Sequence, residues 1–137
     1  MLINISTSKQ NQAVVTKLTA KLTGSTKENV IARIALGYSL ASGRRFTKQE
    51  FGLYDSQGKE YKDHILFDPS LKDFYIALVC QAYGIPKNDD NIPKYIKLHI
   101  DHGLEKINYL FDNNPQYTFF DFLIENIGKG IDAIEDA

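Results

Sequence analysis

The chain has 137 residues, 43% hydrophobic and 24% charged, with a net charge of −1 and a single cysteine. One domain of ordinary size fits these figures, and a core of that size needs no metal or disulfide to hold it. Cys80 alone excludes an intrachain disulfide and suits a reducing compartment. The start, Met1-Leu2-Ile3-Asn4-Ile5-Ser6, has no basic region, long apolar run or small-residue cleavage site. No apolar run approaches the roughly 20 residues of a membrane span. A cytoplasmic protein without a membrane segment is expected.

Residues 2–6 alternate, with Ile3 and Ile5 on one side and Leu2, Asn4 and Ser6 on the other, as in a short strand. Such a strand needs a partner, for which the same strand of a second chain is a candidate. A first helix is predicted from about Lys9 to Leu22. Ala13, Val14, Leu18 and Leu22 form its apolar stripe, and Lys17 and Lys21 lie one turn apart on another face. Gly24 suits a C-cap, and Ser25 with Glu28 has capping-box spacing. A second helix therefore runs to about Ala41 and stops at Ser42-Gly43. Strand, helix, turn, helix is the order of a ribbon-helix-helix unit, whose paired strands enter the DNA major groove. On that reading Leu2, Asn4 and Ser6 face outward.

Residues 43–68 are less periodic. Asp55-Ser56-Gln57-Gly58 is a turn signal within a loose hairpin or an ordered loop. Pro69 opens a third helix, whose face of Leu71, Phe74, Tyr75, Leu78, Val79, Ala82 and Tyr83 predicts the most buried helix of the fold. Gly84 and Pro86 end it. A fourth helix follows Pro93, carries Ile96, Ile100, Leu104, Ile107, Leu110 and Phe111, and breaks at Asn113-Asn114-Pro115. A fifth runs from about Phe119 to Ile134 with a stripe of Phe120, Leu123, Ile124, Ile127, Ile131 and Ile134, despite Gly128 and Gly130. The expected fold is mainly α: a short N-terminal strand, a helix-turn-helix and three further helices. Residues 1–112 form the DNA-binding domain, and 113–137 an acidic helical extension packed on it.

Little in the chain suggests chemistry. His99, Asp101, His102 and Glu105 cluster on the fourth helix, and two histidines three apart could share a metal. The third histidine, His64, is remote in sequence and Asp101 lies on another face, so hydrogen-bonded histidines are expected instead. Cys80, inside Ala77-Leu78-Val79-Cys80, has the surroundings of an inert thiol. Gly24-Ser25-Thr26-Lys27 lacks the spacing and preceding strand of a phosphate loop. No catalytic residue, metal or cofactor is expected. The charge is distributed unevenly, however. Residues 1–48 hold Lys9, Lys17, Lys21, Lys27, Arg33, Arg44, Arg45 and Lys48 against Glu28 alone, a net of +7, and the remainder carries −8. Parts of opposite sign point to a polyanion-binding end and an acidic end. The eight cations are the candidate DNA contacts, although Arg33, set among apolar residues, could pair with Glu28 or a later acid. Asn4 is the only obvious reader of base edges, which favours backbone or shape recognition.

Several segments in order resemble the DndE family of DNA sulfur modification proteins. They are Lys21-Leu22-Thr23-Gly24, Arg33-Ile34-Ala35-Leu36, Ser39-Leu40, Gly58-Lys59-Glu60, Phe67, Tyr75-Ile76-Ala77-Leu78 and Leu98-His99-Ile100-Asp101-His102-Gly103. The likeness spans about residues 14–111. His102 stands where the family often has a basic residue, which makes any charge role there pH-dependent. The acidic stretch after Phe111 looks like an addition. The resemblance implies a small, largely helical bacterial protein of the machinery that replaces a non-bridging oxygen of the DNA backbone with sulfur. Sulfur activation there belongs to partners with a desulfurase and an iron–sulfur enzyme. It further implies binding to duplex or nicked DNA, self-assembly as a tetramer or dimer, and docking onto the other modification proteins. Two rival readings are a ribbon-helix-helix transcriptional repressor and an interaction module whose acidic end binds a basic protein.

Overall fold

The computed structural model describes residues 1–22 and 27–135. The Gly24 cap and the Ser25 half of the capping box lie outside the described residues. The elements are β1 (Ile5–Ser6), α1 (Lys9–Leu22), α2 (Glu28–Ala41), a 3-10 turn (Lys48–Glu50), β2 (Glu60–Tyr61), α3 (Asp63–Leu66), α4 (Pro69–Tyr83), α5 (Ile92–Asp112) and α6 (Phe119–Glu135). The fold is mainly α with a short N-terminal strand, as expected. None of the described helices is long and apolar enough to cross a membrane.

Local chemistry explains most boundaries. Ser8 Oγ accepts from the Asn11 amide at 3.1 Å and caps α1. Asp68 accepts from the Ser70 and Leu71 amides ahead of α4, Pro69 fills its first turn, and Gly84 closes it at φ 63°. The stretch 43–68 is more ordered than its sequence suggests. Thr47 and Glu50 form a reciprocal capping box on the 3-10 turn, and β2 and the four-residue α3 follow.

The N-terminal alternation is as expected, with Ile3 and Ile5 buried and Leu2 and Asn4 exposed. Its partner is not. β1 pairs antiparallel with β2 of the same chain, Ile5 opposite Tyr61 and Ser6 opposite Glu60. The Thr7 amide donates to Lys59 O and the Gly58 amide to Thr7 O, both at 2.9 Å. Gly58 makes this approach possible, since a Cβ there would stand 2.1 Å from Ser8 O. Asn4 is engaged as well, its Oδ1 accepting from the Asp63 amide at 2.9 Å. One edge of β1 is therefore occupied within the chain.

The most buried helix is α5, not α4. Leu98, Ile100, Leu104 and Ile107 of α5 have no exposed surface, whereas Val79 is the only α4 residue buried to that extent and Phe74 is 57% exposed. α4 covers one side of the bundle, so half of its broad apolar face stays near solvent, and Cys80 is half-buried. α5 instead packs chiefly on α2 and also meets α1, α4 and β1. Gly103 sets the α2–α5 distance, because a Cβ there would lie 2.0 Å from the Ala35 carbonyl oxygen. Only a residue without a side chain allows that crossing.

α6 departs furthest from expectation. It packs on the body through Phe122, whose ring lies 5.7 Å from Tyr38 and 6.3 Å from Phe111. The stripe read as its packing face is turned outward, with side chains 40–77% exposed.

Candidate nucleic-acid interface

The eight N-terminal cations do not form one continuous patch. Lys17 and Lys21 lie against the C-terminal end of α5. Lys17 Nζ donates to Asn108 Oδ1 at 2.8 Å and pairs with Asp112. Lys21 Nζ sits 6.0 Å from the Phe111 ring centre. Arg33 finds a carbonyl rather than an acid, donating from Nη1 to Leu66 O at 2.8 Å. Lys9, Lys27 and Lys48 are exposed.

Arg44 and Arg45 do come together, around a largely buried aromatic cluster in which Phe46 and Tyr95 keep only 4% and 6% of their surface. The Arg44 guanidinium lies 4.3 Å from the Phe46 ring centre and that of Arg45 5.8 Å from Tyr83, within the range of cation–π attraction. Tyr83 stacks on Tyr95 at 3.9 Å, and Tyr95 meets Phe51 edge-on at 5.2 Å. Lys94 Nζ stands 5.2 Å over Phe51 and completes the rim. The sequence reading had set Lys94 beside a loop, and only the stacking shows its place. Arg45 is oriented by donating to Leu40 O, Arg44 O and Ala82 O, which also satisfies carbonyls at two helix ends. Arg44 pairs with Glu50 at 2.6 Å. The Thr47 amide and then Arg44 hold the Glu50 carboxyl below the usual carboxylate range. The pair is solvent-exposed, where ion pairs are weak, so a phosphate can compete for Arg44.

Beneath the shelf lies a buried polar chain that the sequence hinted at only as two histidines. Ser39 Oγ is 2.7 Å from Nδ1 of both His99 and His102. Tyr83 Oη is 2.6 Å from His99 Nε2 and accepts from the Phe46 amide at 3.0 Å. One donor order satisfies every group with neutral rings. Tyr83 donates to His99, His99 to Ser39, and Ser39 to His102. Burial, reinforced by Arg45, His102 and Arg44, pushes His99 down to about 3. Burial, Lys106 and Arg44 also lower His102, against the opposing Glu105. The position where the resemblance places a basic residue thus holds a ring kept neutral. Ser39 and His99 are fully enclosed, so this chain braces α2, α4 and α5 and positions the shelf. Asp101, on the other side of α5, accepts from the Ser8 amide, Asn11 Nδ2 and Lys97 Nζ at 2.7–2.9 Å and ties the N-terminus to the core. Among the described residues, no three His, Cys, Asp or Glu side chains converge as a metal site would need.

A solved structure, that of DndE from Escherichia coli B7A, involved in DNA phosphorothioation modification, matches with a TM-score of 0.56 at 20% identity. It covers 78% of this chain and 99% of that one, which supports the fold. Comparison with curated proteins gives no match. Residues 4–114 match the family described as DNA sulphur modification protein DndE. That span contains Gly58, Gly103, the Ser39–His99–His102 chain and the cationic rim, and it ends before α6. The chain belongs to the DndE family of DNA sulfur modification proteins.

Proposed function

We propose that this chain is a non-catalytic DNA-binding subunit of the bacterial DNA phosphorothioation system. The observation that carries the reading is the rim of Arg44, Arg45 and Lys94 around Phe46, Phe51, Tyr83 and Tyr95, with the exposed Lys48 two residues beyond Phe46 in sequence. Cations at the edge of a rigid aromatic shelf suit a phosphate backbone, and each phosphate they neutralise releases counterions. Lys9, Lys21 and Lys27 are further cations of the same N-terminal third, while Lys17 and Arg33 contribute less because Asp112 and the Leu66 carbonyl hold them. Other DNA sulfur modification proteins are the natural partners of a member of this family. The protein acts as a homo-oligomer. The repressor alternative is weakened because β1 is already paired with β2.

Titration of intact and nicked duplexes of unrelated sequence, over a salt series, tests the reading. It predicts sequence-indifferent binding that weakens steeply with salt. Absence of binding at low salt overturns it, and one strongly preferred palindrome supports the repressor instead.

A further inference from the structure

The buried chain of Tyr83, His99, Ser39 and His102 has two unlike ends. One end meets the cationic rim. Tyr83 Oη accepts from the Phe46 amide at 3.0 Å. The Phe46 ring stands edge-on to His99 at 5.0 Å and to His102 at 5.8 Å, and the Arg44 guanidinium lies on that same ring. The other end meets water. Ser39 and His99 have no exposed surface, whereas His102 keeps 9%. Protons from solvent therefore reach the chain at His102.

With both rings neutral, each hydrogen between Tyr83 and His102 has an acceptor, and Tyr83 Oη keeps a lone pair for the Phe46 amide. A second proton on His102 has to sit on Nδ1, 2.7 Å from Ser39 Oγ, so Ser39 can no longer donate there. Two arrangements remain. In one, Ser39 accepts from both rings and its own hydrogen is left without an acceptor in the core. In the other, the order reverses: Ser39 donates to His99 Nδ1 and His99 Nε2 donates to Tyr83 Oη. The unpaired hydrogen is then that of the half-buried Tyr83, which is the less enclosed place for it. In that position it competes with the Phe46 amide.

We infer that His102 is a positioning residue of the rim: one proton taken up there reverses the donor order and loosens residues 43–47, which carry Arg44 and Arg45. This rests on the DNA-binding reading of that rim. Several groups face His102. Lys106 of α5 and Arg44 oppose the proton, as burial does, and Glu105 favours it. Glu105 also accepts from Tyr54, and Arg44 pairs with Glu50. His99 stays neutral beside it, and α2 presents the hydroxyl of Ser39. A charge gained near Arg44 would by itself tighten phosphate binding as pH falls. Loss of the Phe46 link predicts the opposite sign.

An NMR titration of the free chain tests the coupling without DNA. The Phe46 amide is expected to shift with the midpoint of the His102 ring, and to lose that dependence in Tyr83→Phe, which keeps the ring and removes the hydroxyl. An amide that ignores the midpoint, or follows it equally in Tyr83→Phe, overturns the inference. Affinity for a nicked duplex at fixed ionic strength is expected to fall about fivefold from pH 7 to pH 5, and not to fall in His102→Gln, whose side-chain oxygen accepts from Ser39 but takes up no proton. A wild-type affinity that rises as pH falls, or an equal fall in both proteins, overturns it as well. Absence of binding at both values, with the shifts still coupled, overturns the DNA reading rather than the coupling.

Discussion

α5 and α6 are both amphipathic, yet the structure uses them in opposite ways. The stripe of α5 disappears into the core between α1, α2 and α4, and even its polar face is enlisted, with Asp101 clasping the N-terminus and His99 and His102 meeting Ser39. The stripe of α6 faces solvent, and Phe122 on its other side, with Phe119 stacked on it, holds the helix to the body. Periodicity in a sequence identifies a face that needs cover. It does not say whether the cover comes from the same chain. For α5 the cover comes from the same chain and depends on Gly103, which lets α2 approach; the glycines of α6, Gly128 and Gly130, meet no such neighbour.

The comparison can be broken most sharply at Gly103. Gly103→Ala places a methyl group 2.0 Å from a backbone oxygen and is expected to cost about 3 kcal/mol or more, visible as loss of cooperative melting. Next, Ile100→Ala should cost about 2–5 kcal/mol as a large-to-small change in a closed core. Leu78→Ala, on the half-buried face of α4, should cost about 1–2 kcal/mol, and Ile127→Ala, on the exposed face of α6, within about 0.5 kcal/mol. Urea unfolding of the three variants checks the order, and an Ile127 effect as large as that of Ile100 would show that α6 is core.

A smaller effect comes from pH. His99 and His102 titrate lower in the folded chain than in the unfolded one. The unfolded state therefore binds more protons below the ordinary histidine range, and stability falls as pH falls. Each ring contributes up to about 1.4 kcal/mol per pH unit between its two pKa values. Urea unfolding at pH 6.5 and pH 5, above the carboxylate range, isolates the histidine share. Equal stability at the two values would mean that the rings are not held neutral.

Much of the fold was legible in the sequence. Pro69 and Gly84 bound α4, Asn113-Asn114-Pro115 follows α5, and Ile3 and Ile5 point inward because capping and alternation are local effects. Burial rank was not legible, since it depends on which helices surround which, and so α4 was ranked above α5. The pairing of β1 with β2 was hidden because residues 60–61 form too short a strand to show a period. The candidate site was half legible. Charge asymmetry singled out eight cations, from Lys9 to Lys48, and could not say which lie together; Lys94 joins Arg44 and Arg45 only through the stacking of Phe51, Tyr95 and Tyr83, and Lys17 and Arg33 turn toward Asp112 and Leu66.

The central claim is that the cationic rim of the body, and not the acidic α6, meets DNA. It is tested most directly by the salt dependence of nicked-duplex binding for Lys48→Glu with Lys94→Glu, against the wild type. The account predicts at least a tenfold loss of affinity near 0.1 M salt and a salt slope shallower by about 2, one for each lost phosphate contact. Affinity and slope equal to those of the wild type would contradict it.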